Sequence, residues 1–338
     1  MKKYIFKILN FLIFLSIGIL LLYFAFKGIN LKDLISELKV AKYSWVLLAL
    51  FIALLAHLSR AYRWKILIET LGYRPSFLYC FYALMIGYMA NYAFPRLGEI
   101  TRCGSLKKTN KIPFDALIGT VIIERAIDLL ILIILLFSIF FAKIELFGDF
   151  INENIFSPVF KKISYLFNVS ILVWIFFLSG IILFIVIYFI LKKKASNTKA
   201  IQSIKKIVKG IISGIKTVFQ MEKRGAFIIH TLFIWAMYFF MTYLLFFSFQ
   251  FTSGLTILDG LFIMIIGSLG FTAPVQGGIG VYHILVSLGL TLFGISREDG
   301  LVFATLSHGA QSLLVIMFGA LAVFILFISN IKSSKINA

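Results

Sequence analysis

Eight apolar stretches recur along this 338-residue chain, at about residues 8–26, 43–59, 76–95, 114–142, 170–191, 226–248, 259–293 and 301–329, the seventh of them interrupted. Several reach the ~20 residues that a helix needs to cross roughly 30 Å of hydrocarbon. Charged residues make up only 14% of the chain, against roughly 25% in an ordinary soluble domain, so a soluble core is excluded. The fold class that follows is an all-α polytopic membrane protein. The basic start, "MKKYIFK", resembles the head of a signal peptide. However, no A-x-A site closes the long apolar run behind it, and a retained first helix is expected there.

The formal charge of +19 points to the membrane rather than to nucleic acid. Lysine and arginine collect in the connections between apolar runs, and no aromatic-and-basic RNA-binding module appears. Such charge favours anionic lipid headgroups on the cytoplasmic side. Cys80 and Cys103 form neither a CxxC nor a metal spacing and read as small packing residues.

The same charges predict topology. The N-terminus (Lys2, Lys3, Lys7), residues 60–75, 96–112 and 192–224, and the tail with Lys332 and Lys335 are basic. Residues 143–169 are balanced, 249–259 contain no Lys or Arg, and 294–300 set Arg297 beside Glu298 and Asp299. The positive-inside rule puts the first group in the cytoplasm and the second outside. Yet a single apolar run, 76–95, separates two basic connections, and one crossing cannot begin and end on the same side. The region 259–293 lies in the same way between two external-looking loops. Six full spans plus two re-entrant or broken segments are therefore predicted, with both termini cytoplasmic; eight plain spans with one loop violating the charge rule is the alternative. The breaks align as "PRLGEITR" from Pro95 and "PVQGGIGVYH" from Pro274, each proline followed three residues later by glycine. Paired interruptions of this kind mark inverted-repeat transporters. The whole of 1–338 reads as one membrane domain, with an amphipathic cytoplasmic helix at 196–221 carrying Ile201, Ile204, Ile211, Ile215 and Phe219 on one side.

Candidate site residues are the polar groups at membrane depth. In the first break these are Asn91, Pro95, Arg96, Gly98, Glu99 and Arg102. Proline stops helical hydrogen bonding, glycine permits a close turn, and irregular backbone is tolerated there only where it lines a cavity or is buried in protein. Arg96 and Arg102 carry the fork that matches phosphate oxygens, and Glu99 can pair with either or meet a cationic headgroup. In the second break Pro274, Gln276, Gly277, Gly278, Gly280 and His283 offer similar backbone from the other side. Within the 114–142 run, "ERAID" places Glu124, Arg125 and Asp128 near the midplane, where each charge costs roughly 2.5–3.5 kcal/mol on insertion scales. They form either an ion-pair network locking helices together or a polar path in which Glu124 and Asp128 carry protons. "SRAYRW", with Arg60, Arg63 and Trp64, reads as an interfacial anchor or as arginines reaching a lipid phosphate at the cytoplasmic mouth. His57 and His308 read as packing or hydrogen-bonding groups. No Walker loop, HExxH, GxSxG or metal cluster is present, so no catalytic activity, cofactor or metal is expected.

"SRAYRW", "NYAFPRLGEITR", "ERAIDLL" and "APVQGGIGVYH", in that order along nearly the whole chain, resemble the lysylphosphatidylglycerol synthase transmembrane family, also described as flippase-like membrane domains. The resemblance implies lipid translocation, with the family's polar residues carried onto Arg96, Glu99, Arg102, Glu124, Arg125 and Asp128. Members that make aminoacylated lipids carry a soluble synthase domain after the membrane part. This chain ends at Ala338 without one, so aminoacyl transfer is not expected of it. Val275 and Gln276 replace a usual Pro-Gly, and Tyr282–His283 stands near an expected acid. The expected function is a flippase or transporter of a phospholipid, aminoacyl-lipid or glycolipid in the bacterial inner membrane. The expected partners are anionic or aminoacylated lipids, with no nucleic acid. The alternative is a non-catalytic membrane subunit for a separately encoded lipid-modifying enzyme; a membrane glycosyltransferase lacks the nucleotide-sugar site it would need.

Overall fold

Among the described residues the apolar runs fold as helices, and the polar punctuation between them sets where each helix stops. The computed structural model describes residues 12, 16, 19–27, 30–143 and 221–336. Residues 19–26 are helical. They are followed by α1 (Leu31–Val40), α2 (Tyr43–Glu69), α3 (Phe77–Ala93), α4 (Leu97–Asn110), α5 (Phe114–Ala142), α6 (Arg224–Phe246), α7 (Ile257–Thr272), a 3₁₀ turn at Gln276–Gly278, α8 (Val281–Thr291) and α9 (Arg297–Ile336). There is no strand among the described residues. The molecule divides into two compact units, Met1–Glu124 with Val218–Ala338, and Arg125–Thr217. The described part of the second unit is residues 125–143, the C-terminal part of α5.

Among the described residues, four helices are long and apolar enough to cross a membrane: α2, α5, α6 and α9, the last over Arg297–Ile328. The other two expected spans fall outside this set. About half of 8–26 and all of 170–191 lie outside the described residues, as does 196–221 apart from Met221.

The two interrupted regions form helical hairpins. Helices α3 and α4 have 17 and 14 residues, about 25 and 21 Å at 1.5 Å per residue, short of the hydrocarbon thickness. They fold back on each other through glycine. A β-carbon on Gly98 would run into the carbonyl oxygen of Gly87, and one on Gly87 would lie 3.0 Å from Cβ of Arg102. Helices α7 and α8, with 16 and 11 residues, fold back in the same manner. Gly270 lies against the backbone of Tyr282, and Gly289 against Ile263 and Phe262. Small residues let the backbones approach where no apolar driving force separates lipid from protein.

Around the first hairpin sits a hydrophobic core of the first unit. It includes Trp64 and Ile68 of α2, Leu84 and Met85 of α3, Leu106 of α4, Leu117 and Val121 of α5, and Leu314 and Ala322 of α9. Cys80 and Cys103 are free and buried within it, in the packing role their spacing suggested. Helix α6 runs antiparallel to α2: Ser59 meets His230, and ten residues on Glu69 meets Lys223. Buried Ala49, Ala53 and Ala56 line the packed face of α2.

Candidate functional site

The helix that begins with the 43–59 run does not stop there. It continues through "SRAYRW" to Glu69. Arg60, Arg63 and Trp64, spaced three and four apart, share one face, and that face turns inward, with relative exposures of 6%, 0% and 0%. The interfacial-anchor reading therefore gives way to a buried one. The two arginines close on Glu124, itself fully buried: Arg60 Nε donates to Oε1 at 2.8 Å, and Arg63 Nη2 lies 3.4 Å from the same oxygen. From α4, Arg102 Nη2 donates to Oε2 at 2.7 Å. Three guanidiniums from two helices thus converge on one carboxylate from a third. Buried charge persists only when it is paired and hydrogen-bonded in this way.

Further contacts hold the forks in place. Arg60 Nη1 donates to the Tyr238 hydroxyl at 2.9 Å, and Arg63 Nη1 to Thr231 Oγ1 at 3.3 Å, both from α6. The Arg102 guanidinium lies over the Trp64 ring, 4.5 Å from its centroid, a cation–π contact. Trp64 Nε1 in turn donates to Thr120 Oγ1 at 2.9 Å. Among the described residues, Nε and Nη1 of Arg102 are buried and make no hydrogen bond. Trp64→Phe is expected to destabilise the protein by about 1–2 kcal/mol, from one hydrogen bond and a weaker cation–π face. A lower thermal-unfolding midpoint in detergent would register it.

The two breaks meet each other. At the first, α3 ends at Ala93 and the chain turns through residues 94–96, with Arg96 in the left-handed region at φ 61. A first-turn N–H of α4 would otherwise be orphaned. Asn91 Oδ1 accepts it, from Gly98 N at 2.7 Å, across the hairpin. At the second, Gly277, Gly278 and Gly280 all take positive φ, between 55 and 82. The ring of Tyr92 fills the space a Gly277 side chain would need. Gln276 Nε2 donates to the Ala93 carbonyl at 3.1 Å, so one tip is bonded to the other. Both are also bonded to α9: Tyr92 donates to Ser312 Oγ at 2.8 Å, and His308 Nε2 lies 2.8 Å from the Gly277 carbonyl. A carbonyl only accepts, so that ring nitrogen carries the proton. His283 is buried, its ring 4.8 Å from that of His308. His57 is half-buried beside the Tyr88 ring.

The remaining sequence candidates are dispersed. Arg96 is exposed at the first tip while Arg102 lies buried on Glu124, so these two do not converge; Arg60 and Arg63 take the place expected of Arg96. Pro95 and Glu99 are half-buried and Pro274 is exposed. In the second unit, Arg125 is exposed and Asp128 half-buried. Thr231, Tyr238, Thr120, Tyr92 and Ser312 complete the two polar clusters without having been singled out in the sequence. Each sits inside an apolar run, where a single hydroxyl barely changes the pattern.

A buried ion cluster and hairpins too short to span, set among membrane-length helices, are the construction of a polytopic membrane protein. The chain belongs to the family described as the lysylphosphatidylglycerol synthase TM region, which it matches over residues 8–319. A UPF0104 membrane protein of Methanocaldococcus jannaschii is 29% identical over 205 residues, 60% of this chain and 55% of that protein. The chain thus spans about half the length of the curated relative it matches. No solved structure matches it.

Proposed function

We propose that the protein moves a phosphate-bearing lipid (a phospholipid, aminoacyl-lipid or glycolipid) between leaflets without catalysing a reaction on it. The observation that carries this is Arg102. It stands on a re-entrant hairpin beside Arg60 and Arg63, and two of its buried N–H donors make no hydrogen bond among the described residues. A guanidinium fork matches phosphate oxygens, and Glu124 already occupies such a place as a carboxylate. The family's description, which ties it to the membrane region of a lipid-modifying synthase, points the same way. Adding a proton to Glu124 would strip three guanidiniums of the oxygens they share. We therefore assign it the counter-ion's role rather than carriage of a proton. With no ATPase motif in the sequence, movement is downhill or ion-coupled. The excess of lysine and arginine at the N-terminus, in residues 60–75, 96–112 and 192–224 and in the tail supports a cytoplasmic (bacterial inner) membrane setting with both termini inside.

The test is reconstitution in liposomes with fluorescent anionic, zwitterionic and aminoacylated lipids, following movement between leaflets. Arg102→Lys keeps the charge and removes the fork. It is expected to slow the moved lipid about tenfold or more, the scale of one charged hydrogen bond. Movement of no lipid by folded protein would overturn the proposal and leave the non-catalytic subunit as the better reading.

A further inference from the structure

The α2–α6 pair carries an open groove of about 330 Å³ on its outer side. Leu55, Leu58, Tyr62, Phe77, Ile229 and Phe233 line it. The two polar side chains on its wall, Ser59 and His230, are engaged with each other at 2.8 Å, so the surface presented is hydrocarbon and aromatic ring.

On α2 the lining residues Leu55, Leu58 and Tyr62 recur three and four apart, and the same stripe continues to Lys65 and Glu69. Lys223 lies just before α6 and reaches the same point. Lys223 Nζ donates to Glu69 Oε2 at 2.7 Å, and Lys65 Nζ lies 3.2 Å from Glu69 Oε1. Lys65 also sits 5.5 Å from the centroid of the Tyr62 ring, so the ionic cluster adjoins the groove directly. Two ammonium groups share one carboxylate there, and the Lys223 side chain is 57% exposed. An apolar slot ending in surplus lysine at the end of a membrane span has the polarity of one particular ligand. It matches an acyl chain joined to an anionic phosphate, and lysines at that depth attract anionic headgroups.

We propose that this groove binds one acyl chain of an anionic glycerophospholipid, with the phosphate held by Lys65 and Lys223. The site stands apart from the arginine cluster and does not depend on transport. A protein that moves no lipid would still be labelled here, and an empty groove would leave the proposed function untouched.

The experiment uses the full chain in nanodiscs containing phosphatidylglycerol with a photoreactive diazirine on its acyl chain. A phosphatidylcholine probe with the same chain runs in parallel, and adducts are mapped by mass spectrometry. Adducts from the anionic probe are expected at Leu58, Tyr62, Ile229 and Phe233, in excess over Leu313 and Met317 on the exposed face of α9. The double variant Lys65→Gln/Lys223→Gln should lower groove labelling about tenfold, toward that of the zwitterionic probe. Ile229→Trp, which fills the groove, should abolish it; if that variant fails to fold, the lysine pair alone decides. Equal labelling of the groove and α9 would overturn the site, and equal labelling by both probes would overturn its headgroup end.

Discussion

Glu124→Gln is expected to lower the stability of the folded protein by about 3–5 kcal/mol, the range found when one partner of a buried ion pair is removed. Glutamine keeps the shape of the side chain and removes its charge. Arg60 at 2.8 Å, Arg102 at 2.7 Å and Arg63 at 3.4 Å would then face an amide in a place fully shielded from water. The double variant Glu124→Gln/Arg102→Met takes away one of those cations along with the anion and fills the space with an apolar side chain. It should be less destabilised than Glu124→Gln alone, because coupled neighbours do not add. Unfolding in mixed micelles titrated with a denaturing detergent measures both. A Glu124→Gln protein within about 0.5 kcal/mol of the parent, the range of surface substitutions, would show that the cluster does not hold the helices together.

The second large effect concerns the first hairpin. Gly98→Ala should destabilise it by about 1–3 kcal/mol, the usual cost of overpacking. The added methyl would meet the Gly87 carbonyl oxygen and both terminal atoms of Asn91, which also holds the N–H of residue 98. Two of these obstacles belong to the site's own cap, so the helices must part to relieve the contact. Gly104→Ala is the matched comparison on the same helix. Nothing lies within 4 Å of the new methyl, and alanine gains up to about 1 kcal/mol in helix propensity. Opposite signs in thermal unfolding are expected from two identical chemical changes six residues apart. The same sign for both would mean that close approach at Gly87 does not support the hairpin.

The membrane-length helices were legible because transfer into hydrocarbon is a property of the run itself, nearly independent of what packs against it. The hairpins were legible for a different reason: lysines and arginines on both sides of residues 76–95 contradicted a crossing. The alignment of the two prolines pointed to paired breaks, and the contact between Gln276 and Ala93 joins them. All four members of the arginine–glutamate cluster were candidates in the sequence, but only the anion was marked by its own surroundings, and the pairing was not legible. Glu124 stood out because a carboxylate inside an apolar run is expensive, but its partners lie 64, 61 and 22 residues away along the chain, and no local pattern encodes such distances. Arg60 and Arg63 were harder still. They follow the end of an apolar run, where a snorkelling anchor has the same appearance as an inward-facing charge. Which of the two occurs depends on α6 closing over α2 with Thr231 and Tyr238, and both of those hydroxyls are hidden in a hydrophobic stretch.

The bonds joining the hairpin tips have a dynamic meaning. Gln276 ties one tip to the other, while Tyr92 and His308 tie them separately to α9. Drawing the tips apart therefore ruptures at least two of these three links, about 2 kcal/mol at the net value of a neutral hydrogen bond. At room temperature that makes the parted arrangement roughly thirtyfold rarer than the joined one. α9 acts as a shared hinge post, and neither hairpin swings without loading the other. Any ligand that widens this junction has to supply that difference itself by binding the parted arrangement more tightly.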